Sequence, residues 1–170
     1  MEQNANIVLC GFMGCGKTTI GKLLAKNTGW PFIDMDHYIE QNAHMSISEI
    51  FAKHGEAYFR DLEHTAVKQL AKKKGCIISA GGGTLVYERN VQLLRQTCRI
   101  VLLDVPLPVI RHRLRNDTKR PLLQRPDRDK AMQQLYNQRL PLYRAAAQYT
   151  VAASKSPYTT AKAVMEAVGL

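Results

Sequence analysis

Residues 11–18 read Gly-Phe-Met-Gly-Cys-Gly-Lys-Thr, which fits the spacing G-x-x-x-x-G-K-[ST]. In that pattern glycines let backbone N–H groups curl around phosphate oxygens, the lysine reaches the terminal phosphates, and the hydroxyl residue binds Mg²⁺. Gly14, Cys15, Gly16, Lys17, Thr18 and Thr19 are therefore the candidate contacts to a nucleoside triphosphate. Cys15 lies between two glycines at the mouth of a helix, two residues before Lys17. The helix dipole and the nearby ammonium both favour a thiolate, so an exposed and reactive thiol is expected there, the alternative being a small inert packing residue with its sulfur folded inward. A second pair is Asp34 and Asp36. In extended backbone this i, i+2 spacing sets both carboxylates on one face, with about 6.6 Å between Cα atoms. One acid can then serve the Mg²⁺ shell while the other accepts the proton of a hydroxyl attacking phosphorus. Asp36 could equally cap the next helix.

Three further groups could complete a site. Gly81, Gly82 and Gly83 follow the apolar run Ile77-Ile78-Ser79-Ala80, where backbone without side chains can approach a small ligand closely. No acid stands in that place, which leaves Asp34 as the metal-side carboxylate. Arg60 in Phe-Arg-Asp-Leu-Glu has Glu56 and Glu63 at helical spacing, so a simple ion pair is one reading of it. Arg139 precedes Pro141, which deforms a helix where a fork of donors is presented. Two arginines and a glycine backbone could clamp a carboxylate. Arg120, in Lys-Arg-Pro-Leu-Leu, could fold over a transferring phosphoryl group or be an ordinary solvated charge.

The elements that must hold these residues are readable from periodicity. Strand-like runs at 7–10, 31–34, 76–80, 99–105 and 149–153 alternate with helical stretches at 17–26, 36–42, 47–54, 56–73, 87–95, 108–115, 127–147 and 159–168. That alternation predicts an α/β fold with a parallel sheet. Ser46 with Glu49 is a capping-box pattern that opens the 47–54 helix. No repeat or linker divides the chain, so its 170 residues are expected to form one domain spanning 1–170. The insertions after the second strand and between the fourth and fifth are where a substrate pocket (about 34–63) and a lid (about 113–126) would sit.

Bulk properties narrow the class. No stretch approaches the roughly 20 apolar residues of a membrane span. The opening Met1-Glu2-Gln3-Asn4 lacks a basic then apolar secretory pattern, so a cytoplasmic protein is expected. The four cysteines and five histidines show no metal-ligand spacing, which predicts reduced thiols and no zinc. A net charge of +10 suits nucleic acid or several anionic groups on small molecules. The basic residues crowd into a proline-broken, aromatic-free stretch at 111–128, which favours a mobile lid over phosphates and predicts no nucleic-acid partner. A monomer is the default expectation.

Taken together, GFMGCGKTTIGK, FIDMD, EAYFRDLE, SAGGG, RPLL and RLPLY resemble the shikimate kinases, small enzymes of the phosphate-loop kinase superfamily, in order and along the whole chain. The resemblance implies a five-stranded parallel sheet flanked by helices and MgATP-dependent phosphorylation of the shikimate 3-hydroxyl, a step toward chorismate and the aromatic amino acids. It implies that residues 14–19 cradle ATP, that Lys17 bridges the terminal phosphates, and that Thr18 binds Mg²⁺ with Asp34 nearby. Asp36 would meet the reacting hydroxyl, and Arg60, Gly82 and Arg139, with Gly81 and Gly83 beside them, would hold shikimate while Glu63 orients the pocket. Arg120 matches the lid arginine, Arg113 an arginine that stacks on adenine, and Pro157 falls near the adenine edge. The alternatives that stay open are a related kinase for another hydroxyl compound such as gluconate, a nucleoside monophosphate kinase, and an inert nucleotide-binding module.

Overall fold

The five apolar runs become strands β1 (Asn6–Cys10), β2 (Phe32–Asp34), β3 (Ile77–Ser79), β4 (Cys98–Asp104) and β5 (Tyr149–Ala152) of one parallel sheet, ordered β2-β3-β1-β4-β5. The structure is a computed structural model that describes residues 4–170. Met1, Glu2 and Gln3, read above for a targeting signal, lie outside the described residues. Every residue of β1 is buried, because helices cover both faces of the sheet, and its sequence is accordingly near-continuously apolar. Val8 pairs in register with Ile78 on one side and Ile100 on the other, all three wholly excluded from solvent.

The connections are α1 (Lys17–Thr28), α2 (Met35–Ala43), α3 (Ile47–Ala71), α4 (Glu88–Thr97), α5 (Leu107–Arg113), α6 (Arg128–Ala146) and α7 (Pro157–Val168), with single 3₁₀ turns at Thr84–Val86 and Pro121–Gln124. Ser46 and Glu49 form the expected capping box, with Glu49 N–H donating to Ser46 Oγ at 3.2 Å and Ser46 N–H donating to Glu49 Oε2 at 2.9 Å. The two helices expected at 47–54 and 56–73 run on as α3 across a kink at Gly55, whose φ of 82° breaks the helical path. α6 carries Pro141 and continues through it.

β1 leads through α1 to β2 on one side of the sheet, and the chain returns through β3 to reach β4 on the other side of β1. The strand order therefore reverses at β1, and a crevice opens outside the carboxyl ends of the strands at that point. Both the phosphate-loop motif and the Gly-Gly-Gly turn leave strands at this edge.

Candidate active site

A cleft of about 620 Å³ occupies that crevice. Its floor is the phosphate loop. Gly16 takes φ 100° and forms the N-cap of α1, a backbone conformation that suits glycine, and it turns the chain directly into the helix. The unpaired N–H groups and positive dipole end of α1 thus face the cleft, an anion site by construction. Gly14, Cys15, Gly16, Lys17, Thr18 and Thr19 all line it. Lys17 Nζ donates to the carbonyls of Gly11 at 2.7 Å and Phe12 at 3.4 Å and lies 3.7 Å from Cys15 Sγ.

The expectation of an exposed Cys15 thiol is corrected. Cys15 is only 1% exposed. Flanked by glycines at φ 74° and 100°, the loop turns its side chain into the core, where Sγ sits 2.7 Å from the place a Cβ on Gly11 would occupy. Its side chain is thus withdrawn from any phosphate, and its N–H donates to Phe12 O at 3.1 Å. The other three cysteines are buried too, and burial pushes the Cys10 thiol up to about 12.

The geometry expected for Asp34 and Asp36 is also corrected. β2 ends at Asp34 and α2 begins at Met35, so the pair does not share an extended face. Asp34, and not Asp36, caps α2, its Oδ1 accepting from His37 N–H at 3.1 Å. Asp36 falls in the first helical turn, and both side chains still line the cleft. Solvent reaches Asp36 from the cleft, yet protein crowds its carboxyl, and its pKa is pushed up to about 6. Desolvation contributes most, followed by the charges of Asp34 and Glu63, while Lys17 pulls the other way.

Each glycine of the Gly-Gly-Gly turn makes room for one functional side chain. A Cβ on Gly81 would lie 2.7 Å from Asp36 Oδ1, and one on Gly82 would lie 3.0 Å from Arg139 Nη1. A Cβ on Gly83 would strike the Arg60 guanidinium. None of the three takes positive φ, so close approach and not backbone freedom requires glycine here. Tyr143, 1% exposed on α6, locks the turn from behind. Its hydroxyl donates to Gly82 O at 2.6 Å, and burial pushes that hydroxyl up to about 12 while the nearby charge of Arg139 pulls the other way.

Arg60 and Gly83 stand apart from the other candidates, because they line an adjoining cavity of about 250 Å³ and not the main cleft. Arg139 lines both, forming the wall between them. The ion-pair reading of Arg60 describes its contacts: Nη1 meets Glu63 Oε1 at 3.0 Å and Nη2 meets Glu56 Oε1 at 3.3 Å. The guanidinium also lies against the rings of Phe59 and Tyr87, at 5.1 and 5.2 Å from their centroids.

On the opposite side Arg113 donates to Gly14 O at 3.2 Å and Ala153 O at 2.8 Å, tying the phosphate loop to the turn after β5, where Pro157 begins α7. Arg120 reaches the cleft from the 113–126 segment and pairs with Asp117 Oδ2 at 3.1 Å. That segment is pinned by Leu123, 3% exposed. Ser79 and Lys155 also line the cleft and were not singled out from the sequence, although both stand at or just beyond the carboxyl end of a strand, which is where ligands bind in such sheets. Among the described residues no three His, Cys, Asp or Glu side chains cluster as metal ligands. Thr18, Asp34 and Asp36 line the cleft instead, oxygen donors of the type that holds Mg²⁺ together with substrate phosphates.

The family model described as Shikimate kinase matches residues 13–169. A shikimate kinase of Thermodesulfovibrio yellowstonii is 44% identical over 141 residues, covering 83% of this chain and 82% of its own. One of Moorella thermoacetica is 41% identical over 164 residues, covering 96% and 94%. Among solved structures, shikimate kinase from Acinetobacter baumannii in complex with shikimate aligns with a TM-score of 0.90 at 34% identity over 98% of this chain and 94% of that one. A gluconokinase from Sinorhizobium meliloti, at 15% identity and a TM-score of 0.65 over 99% of this chain and 94% of that one, shares the fold alone. This chain belongs to the shikimate kinase family.

Proposed function

We propose that the protein transfers the γ-phosphoryl group of MgATP to the 3-hydroxyl of shikimate, giving shikimate 3-phosphate for chorismate and aromatic amino acid biosynthesis. The observation that carries this reading is the meeting, in one cleft, of the anion-binding start of α1 with Asp36, Gly82 and Arg139, in a chain whose family match runs through all of them.

Residues 14–19 hold the triphosphate through backbone N–H groups, and Lys17 leaves the loop carbonyls to bridge its terminal oxygens. Thr18 and Asp34 would hold Mg²⁺, which would supply neutralising charge at the phosphate oxygens. Arg139 and Gly82, with Arg60 at the cavity behind them, fix the substrate carboxylate and ring, while Gly81 and Gly83 keep the turn narrow. Asp36 receives the hydroxyl proton as oxygen approaches phosphorus in line, and its raised proton affinity suits it to that task. Arg120 exchanges Asp117 for the transferring group when the 113–126 segment closes, which excludes water. Arg113 and Pro157 border the adenine. We take the chain as one domain acting as a cytoplasmic monomer, with an acceptor-binding subregion at about 34–63 and no nucleic-acid partner. No helix of the described residues is long and apolar enough to cross a membrane.

A coupled ADP-release assay with shikimate, gluconate and nucleoside monophosphates tests the reading. Turnover with shikimate alone is expected, and preference for either of the others would reassign the acceptor.

A further inference from the structure

Glu63 is a carboxylate only 1% exposed, one helical turn after Arg60 on α3. A buried charge costs several kcal/mol unless its hydrogen-bonding capacity is met, and here each oxygen has its own partner. Oε1 accepts from Arg60 Nη1 at 3.0 Å and Oε2 accepts from Thr84 Oγ1 at 2.9 Å. Thr84 is wholly buried and opens the 3₁₀ turn after Gly83. Its N–H donates to Gly81 O at 3.1 Å, and its carbonyl accepts from Asn90 Nδ2 at 2.9 Å. Asn90 is 1% exposed and lies 2.8 Å from His64 Nδ1 through its Oδ1. The chain Arg60–Glu63–Thr84–Asn90–His64 therefore ties α3 to the glycine turn and to α4.

The two ends of the Arg60 guanidinium are held unequally. Nη1 is committed to buried Glu63, whereas Nη2 and Nε reach Glu56 at 3.3 and 3.4 Å, and the Glu56 side chain is 62% exposed. An exposed pair of that kind is worth little and can be exchanged for an incoming carboxylate. Exchange leaves the guanidinium correctly aimed only while Glu63 stays in place.

We infer that Thr84 is a positioning residue for acceptor binding: its hydroxyl holds Glu63 so that Arg60 is presented beside Arg139. The inference rests on the proposed role of those two arginines. Without the hydroxyl, Oε2 has no buried donor, and the least costly relief is for both oxygens to turn onto Arg60, drawing the guanidinium towards α3 and away from Arg139. A valine fills the same space as threonine, so packing is retained when the hydroxyl is removed.

The test is steady-state kinetics of wild type, Thr84→Val, Thr84→Ala and Thr84→Ser, varying shikimate and ATP separately, beside thermal melts. Both hydroxyl-free variants should raise KM for shikimate about tenfold or more, the scale of a lost hydrogen bond to a charged group, with KM for ATP within about twofold. Thr84→Ser should restore most of the affinity. Using two hydroxyl-free side chains covers the case in which one fails to fold. Unchanged KM for shikimate in a folded variant, an equal rise in both KM values, or a serine as impaired as the valine would overturn the inference. Failure of wild type to use shikimate would instead strike the proposed reaction, and the Thr84 role with it.

Discussion

The Asp36 carboxyl is desolvated by the protein around it and faces the charges of Asp34 and Glu63, with Lys17 acting the other way. Its folded-state pKa is raised from 3.8 to about 6. Below the lower value both folded and unfolded chains carry it protonated and it costs nothing. As pH rises from the lower value towards the higher, the unfolded chain ionises first and the folded state loses stability, a loss that is complete once the crowded acid itself ionises above the higher value. In metal-free buffer Asp36→Asn should therefore melt with the parent near pH 4 and above it near pH 8, measured by calorimetry. A variant less stable than the parent at the higher pH would contradict this placement. The same substitution should cut shikimate turnover about a hundredfold or more, the contribution of a general base. Cys15 gives a second residue-level expectation. With its thiol turned against Gly11, native protein should resist alkylation at Cys15 until it is unfolded, as mapped by mass spectrometry. Rapid native labelling there would show that the loop opens.

At the scale of elements, α6 serves the site twice, presenting Arg139 to the cleft and, one turn later, Tyr143 to the carbonyl of Gly82. Tyr143→Phe removes one hydroxyl and leaves the ring in the core. It should weaken shikimate binding by about fivefold to tenfold while ATP binding changes little, by calorimetry with each substrate, because the buried hydrogen bond that holds the Gly82 carbonyl, and with it the backbone packed against Arg139, is lost. Equal loss of both affinities would mean that the phosphate loop and the glycine turn are not separately supported. Helix and strand existence was legible throughout, since each run carried its own periodicity and Ser46 and Gly55 marked their boundaries. The start of α2 was expected one residue late, at Asp36 and not Met35. One residue decided whether Asp36 belonged to an extended or a helical segment, and the N-cap bond of Asp34 to His37 settled it. The direction of Cys15 was equally hidden, because it depends on the φ values of Gly14 and Gly16 and not on residue type.

For the whole molecule, the reversal of strand order at β1 is what gathers residues separated by more than a hundred positions into one cleft. Short motifs in the sequence named Lys17, Asp36, Gly82, Arg120 and Arg139, but nothing local to any of them revealed that Arg139 would stand between two cavities or that Arg60 would open onto the smaller one. Nor was the buried Thr84–Asn90 support readable, because its partners meet only when α3, the glycine turn and α4 pack together. This cleft delivers the γ-phosphoryl group to one hydroxyl of shikimate. Phosphorus NMR of the product formed by wild-type protein from ATP and shikimate tests it most directly. A single phosphate ester coupled to the proton at carbon 3 is expected. An ester at another hydroxyl, or inorganic phosphate with unaltered shikimate, would contradict it.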